Sequence, residues 1–211
     1  MVKEGNNLTI SSIENGPFES ANIVAELNEG AGDTIILCAH YDSVSTTPGA
    51  CDNAAGVAVL LELARVFSET GADRHVVFLF TTGEEQGMLG ATVFARELSE
   101  EYKNNTAAVY ALDMFADSNQ QTPILYTCDG EPDRATALIY AACQNYSLAA
   151  PVLGKEFRSD HAAFYGIGLP AALAAQGESD SLYHTPYDIM DNLSSDYMDL
   201  VFAWMAGVLL G

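Results

Sequence analysis

The sequence predicts an α/β domain built on a mostly parallel, mixed central sheet with helices on both faces. Three observations carry this. Residues 34–39 (TIILCA), 76–80 (VVFLF) and 107–112 (AAVYAL) are unbroken apolar runs, as strands buried on both faces require. Segments of helical period alternate with these runs, the order of a parallel sheet with crossover helices. Each run also ends in polar chemistry: His40-Tyr41-Asp42, Thr82-Gly83-Glu84-Glu85 and Asp113. Open sheets of this class bind ligands beyond the carboxyl ends of their strands.

The elements follow in order. Residues 8–13 and 22–27 read as short strands joined by a turn at Glu14-Asn15-Gly16-Pro17. Residues 54–69 place Val57, Leu60, Leu61, Ala64 and Phe67 at helical spacing, and Gly71 is a stop signal. Residues 88–98 predict a second helix. Residues 124–127 predict a strand, and Pro132 opens a helix running to about Gln144. A short helix over residues 161–165 has Ser159 or Asp160 as its N-cap. Residues 169–174 predict a last strand and residues 196–210 a closing helix. No repeat, low-complexity tract or linker interrupts this order, so residues 1–211 are expected to form a single domain.

Composition narrows the function. Hydrophobic residues make up 49% and charged residues 18%, which suits a globular core. With 29 acidic and 8 basic side chains the net charge is −21. That field repels nucleic acid and anionic lipid and favours cations, including ammonium groups. Cys38, Cys51, Cys128 and Cys143 form no CxxC pair, so neither a thiolate zinc site nor a disulfide framework is expected. Residues 1–5 lead straight into polar sequence without the apolar core of an export signal. The apolar run at residues 200–210 is shorter than the roughly 20 residues that span a bilayer.

Paired acids such as Glu84-Glu85 at the end of a buried strand are not a solvated face. They repel each other unless a cation or a shared proton compensates them. Imidazoles and carboxylates without thiolates form a ligand set for Zn²⁺, Mn²⁺ or Co²⁺. Asp42 can accept from the second ring nitrogen of His40 and fix its tautomer. His75 opens a strand without a motif around it and is expected to play only a surface or strand-end role.

Six segments in order, HYDS, PGACDN-x-x-G, TGEEQG-x-x-G, ALDM, SDH and YHTPYD, resemble the co-catalytic zinc aminopeptidases of the M28 family. The resemblance runs from about Ile35 to Asp191. It implies a zinc-exopeptidase fold and a two-metal aminopeptidase that removes N-terminal residues from peptides. It places His40 and Asp113 on one ion, Glu85 and His184 on the other, and Asp52 between them. Two divalent ions, foremost Zn²⁺, are the implied cofactors. Glu84 matches the general base acting on a metal-bridging water, and Tyr183 a hydrogen-bond donor to the developing oxyanion. Asp42 and Asp188 would support the ligands. Arg158, Ser159 and Asp160 would line the substrate site, and Asp52–Asn53 would be a cis peptide. The implied partner is a peptide with a free N-terminus, neither nucleic acid nor membrane. The implied location is secreted or cell-envelope.

Two other functions fit the same resemblance. A glutaminyl cyclase-like acyltransferase would use one zinc, but such relatives tend to carry Asp-Ser where this chain has Asp52-Asn53, and an acid in place of Ser159. A non-catalytic binding module would be expected to have lost ligands or the base. As given, the sequence is shorter than many relatives and is expected to show neither an N-terminal helical layer nor an inserted or protease-associated domain, and it carries Tyr187 where an acid is common. Met114, Phe115, Phe157, Phe164 and Tyr187 are the aromatic and apolar candidates near the site. Cys51 has no base beside it, and its expected neighbours are anions, so it is expected to be a neutral bystander to Asp52.

Overall fold

The protein is seen in a computed structural model that describes residues 9–14, 20–177 and 182–211. Its centre is an eight-stranded sheet in the order β1-β2-β4-β3-β5-β8-β6-β7. The strands are β1 (Thr9–Glu14), β2 (Ala21–Leu27), β3 (Thr34–His40), β4 (His75–Thr81), β5 (Thr106–Leu112), β6 (Ile124–Thr127), β7 (Leu153–Lys155) and β8 (Ala171–Ala175). Pairs β3–β4, β3–β5, β5–β8 and β6–β7 are parallel; β1–β2, β2–β4 and β6–β8 are antiparallel. The three runs read as doubly buried strands are β3, β4 and β5, and every residue in each is buried. The turn expected after Glu14 falls on residues outside the described ones.

Side chains alternate between the two faces with the period of a pleat. Ile35, Leu37 and Phe78 face helices α1 (Ala55–Thr70), α4 (Arg134–Tyr146) and α6 (Ser195–Leu209). Ile36, Cys38 and Leu79 face α2 (Leu89–Glu97) and α5 (His161–Tyr165). The largest buried side chain, Trp204 of α6, also donates from Nε1 to the Ala149 carbonyl at 2.8 Å. Each large side chain buried in this way contributes roughly 1.5–3 kcal/mol.

The boundaries show which local signals govern. α1 ends where Gly71 takes φ 85° and its amide returns to the Phe67 carbonyl. The helix expected to open at Pro132 starts at Arg134, because Asp133 and Thr136 form a reciprocal capping box. Among the described residues, one helix and one strand of the main fold were not foreseen. Helix α3 (Glu100–Asn105) is capped by Ser99, which accepts from the Tyr102 amide. Strand β7 has only three residues. Among the described residues no helix is long and apolar enough to cross a membrane.

Tyr110 is fully buried in β5, and its hydroxyl donates to the Ala135 carbonyl at 2.7 Å, joining the sheet to α4. Tyr110→Phe removes this buried bond while the carbonyl keeps its place in the helix, and should cost about 0.5–1.5 kcal/mol in a denaturant titration. An unchanged midpoint would show that the contact contributes nothing.

Candidate metal centre

The carboxyl ends of β3, β4 and β5 lie side by side, and their continuations meet. His40 is the last residue of β3 and pairs in register with Thr81, the last of β4. Four residues after Thr81 come Glu85 and, before it, Glu84. Asp113 follows β5 directly. Asp52 lies on an irregular turn, Ala50–Ala54, that enters α1, and its peptide bond to Asn53 is cis, as the resemblance implied. His184 arrives from the far end of the chain with φ 57°.

One carboxylate joins two clusters. Asp52 Oδ1 lies 3.2 Å from His40 Nε2, which also lies 3.3 Å from Asp113 Oδ1. Asp52 Oδ2 lies 3.3 Å from His184 Nε2, which also lies 2.9 Å from Glu85 Oε2. The ligand atoms of each cluster, His40–Asp52–Asp113 and Asp52–Glu85–His184, are close enough to share an ion. Two buried atoms in the second cluster, His184 Nε2 and Glu85 Oε1, have no hydrogen-bond partner among the described residues. Lone pairs converging without a donor are what a cation site presents. The residues therefore fit divalent ions.

Four sets of hydrogen bonds hold this arrangement. His40 Nδ1 lies 3.0 Å from the backbone carbonyl of Asp42 and 3.6 Å from its carboxylate, so the carbonyl is the closer partner that sets the tautomer. The Asp42 carboxylate accepts instead from the amides of Glu84 and Glu85 at 3.2 and 3.3 Å, tying the β3 and β4 loops together. Asp188, buried at 2% exposure, accepts from the amides of Cys51 at 2.6 Å and Asp52 at 3.1 Å. It thus fixes the turn that carries Asp52 to the segment that carries His184. Asn53 Nδ2 donates to the Leu112 carbonyl at 2.8 Å, setting Asp52 against the end of β5. Gly56 allows that approach: a Cβ there would meet Asn53 Oδ1 at 2.3 Å and the Leu112 carbonyl at 2.4 Å.

The SDH segment takes a different form from the one expected. No side chain caps α5. Ser159 Oγ donates to Asp113 Oδ2 at 2.8 Å. Asp160, expected at the substrate, is 2% exposed and accepts from the Thr81 hydroxyl. His161 Nε2 donates to the Glu156 carbonyl at 2.7 Å. Arg158 is exposed, and its guanidinium grips Glu156 through two bonds, of 2.9 and 2.6 Å. Beside Asp113 opens a cavity of about 260 Å³, lined by Met114, Tyr126, Leu173 and Ala175 with Arg158, Ser159 and Tyr183. Phe115 and Phe164 are core residues, whereas Phe157 and Tyr187 are exposed. Tyr183 stacks on the His184 ring at 3.6 Å between centroids, a contact that spacing alone could not reveal.

A match to the sequence profile of Peptidase family M28 covers residues 22–209. The chain belongs to peptidase family M28. It is 31% identical over 182 residues to Aminopeptidase YwaD of Bacillus subtilis, an alignment covering 81% of this chain and 40% of that protein. The structure superimposes on an aminopeptidase from Aneurinibacillus sp. strain AM-1 with a TM-score of 0.84 at 37% identity, covering 90% of this chain and 47% of that one. It superimposes on BSAP, a zinc aminopeptidase from Bacillus subtilis, with a TM-score of 0.82 at 29% identity, covering 90% and 50%. The chain thus spans half or less of the length of these relatives.

The charges of this M28 centre explain its protonation. Burial, and then the charge of Asp113, push Glu84 up to about 9. Burial raises Asp52 and Glu85 as well, reinforced by neighbouring carboxylates. Burial alone would lower His40, but Asp113, Asp42 and Asp52 raise it well above the usual range. Burial opposes the ionisation of Asp113, yet His40 and Ser159 hold it low. Burial pushes Tyr183 to about 12, helped by Asp52 and Glu85.

A carboxyl whose folded pKa exceeds its unfolded value binds its proton more tightly when folded. The contribution of Glu84 to the ion-free fold is complete below its ordinary value of 4.5 and lost as pH rises through about 9. Melting temperatures of chelator-treated protein should therefore fall from about pH 5 to about pH 9, and saturating Zn²⁺ should flatten the decline. A metal-free curve that rises across that window would contradict this assignment. In the same assay Gly56→Ala should melt lower by an amount equivalent to about 1–3 kcal/mol, since backbone and Asn53 must both move.

Proposed function

We propose that the chain is a two-metal aminopeptidase centre that hydrolyses N-terminal residues from peptides. The observation that carries this is the division of Asp52: one oxygen faces His40 and Asp113, the other His184 and Glu85. His40, Asp113 and Asp52 would hold one divalent ion, and Glu85, His184 and Asp52 the second, with zinc favoured by the imidazole–carboxylate set. When bound, such ions supply Lewis acidity toward a peptide carbonyl and make water acidic enough to attack near neutral pH.

The chain's own residues supply the remainder. Glu84 shares the loop of Glu85 and is the general base: it takes the proton of the attacking water and returns it to the leaving amine. Burial and the neighbouring carboxylates raise its pKa in the ion-free site, and cations beside it would lower it again. Burial and the nearby carboxylates raise the Tyr183 pKa to about 12 in the ion-free site, and its hydroxyl would donate to the oxyanion that forms as water adds. The carboxylates of Glu84 and Asp113 would accept from the substrate ammonium. The apolar floor of the cavity, Met114, Leu173 and Ala175, would receive the side chain of the departing residue.

The test is metal analysis joined to a panel of aminoacyl amides. The expected result is two ions per chain and hydrolysis abolished by chelator. Glu84→Gln should keep both ions and lose about 10²–10⁴-fold in kcat. Asp52→Asn should lose metal and activity together, whereas Cys51→Ser should keep most of both. One zinc per chain with pyroglutamate formed from an N-terminal glutamine peptide would point to the cyclase-like reading instead. A metal-loaded protein inert across the panel would sink the aminopeptidase reading.

A further inference from the structure

We propose that Asp160 is a positioning residue for the cation centre, a buried anion that supports it from behind the ligands through Thr81. This rests on the two-metal reading above. Asp160 is 2% exposed, and Thr81, whose hydroxyl it accepts from, is fully buried. The other carboxylate oxygen, Oδ1, has no hydrogen-bond partner among the described residues. Thr81 is the residue where two strands meet the site. It pairs in register with His40, and its carbonyl accepts from the Tyr41 amide at 2.9 Å. It also starts the segment that leads to Glu84 and Glu85. A side chain that fixes Thr81 therefore fixes the strand end of His40 and the approach to the general base together.

The charge of Asp160 needs a reason of its own. A neutral acceptor would satisfy the Thr81 hydroxyl equally well. A buried carboxylate with a single donor is costly unless a positive charge compensates it. The charged groups that act on Asp160 are His40, Asp113 and Asp42, and it acts in turn on Glu84 and Cys38; only His40 among these is basic. Two dications would add four positive charges to that of His40, beside the ligand carboxylates Asp52, Glu85 and Asp113, and Asp160 lies close enough to His40 and Asp113 to feel them. It has the features of a group whose desolvation is offset only in the loaded protein.

The measurement is Zn²⁺ affinity of the intact chain by competition with a chromogenic chelator, with stoichiometry recorded alongside. Asp160→Asn keeps the shape and an acceptor for Thr81 but removes the charge. It should bind Zn²⁺ about tenfold more weakly, the scale of outer-layer losses at metal sites. Thr81→Val, which leaves the carboxylate without its donor, should weaken binding in the same direction, and Thr81→Ser should restore it. Affinity of Asp160→Asn within twofold of wild type overturns the proposal. If Asp160→Asn does not fold, equal affinities for Thr81→Val and Thr81→Ser overturn it instead. Wild-type protein that takes up no Zn²⁺ would sink the two-metal reading itself, a result distinct from either.

Discussion

Asp52 is shared between two imidazoles. Its oxygens lie 3.2 Å from His40 and 3.3 Å from His184, and each imidazole brings one further carboxylate. A single side chain can serve two clusters only if its backbone is held on several sides. Asp188 takes the amides of Cys51 and Asp52, Asn53 reaches the end of β5, and Gly56 lets helix α1 close up behind them. Each restraint comes from a different element, so the position of Asp52 records the whole sheet and its loops. The sheet supplies parallel strand ends about 4.8 Å apart, and the loops turn that spacing into ligand geometry.

The same concentration of acids opposes folding when no cation is present. Burial raises Glu84, Asp52 and Glu85, and their mutual repulsion adds to it. The large apolar layers of β3, β4 and β5 make this tolerable, since stability gained over the whole core can offset strain at one edge. Cys51 belongs to that core rather than to the chemistry. It is 2% exposed and packs within the layer under α1, while its backbone amide contributes to holding Asp52.

The fold was legible wherever burial on both faces left long apolar runs. β3, β4 and β5 each lie within one residue of their expected limits, because no polar position interrupts them. α3 escaped because six residues carry little periodicity, although Ser99 followed by two glutamates is a start signal that could have been read. β7 is too short to show alternation at all. His40, Glu84, Glu85 and Asp113 were legible because they fall at or just beyond strand ends, and Asp52 and His184 because their segments stand in family order. What joins them was not. Asp188 meets Cys51 across 137 positions, and Asp160 meets Thr81 across 79. Such contacts depend on which loops the sheet order brings together. The capping role expected for Ser159 and Asp160 lost to them, since a local backbone bond was weaker competition than a ligand carboxylate and a buried hydroxyl.

The two ends of the parallel strands give the sharpest argument for where the function lies. At the amino end the charges are paired. Asp33 is gripped by Arg74 and, at 2.7 Å, by Arg134, while His75 rests between Thr34 and Glu26 at 3.0 and 3.2 Å. At the carboxyl end Asp42, Asp52, Glu84, Glu85, Asp113 and Asp160 surround two imidazoles. Acids that served only net charge would lie spread over the surface, where water keeps them hydrated. Instead Asp52, Asp113 and Asp160 are buried and Asp42, Glu84 and Glu85 half-buried at one end, where Glu85 Oε1 and Asp160 Oδ1 have no donor among the described residues, while at the other end Asp33 and His75 have partners. A fold that pairs Asp33 and His75 at one end, and crowds six acids around two imidazoles at the other, suits that second end to positive charge from outside the chain.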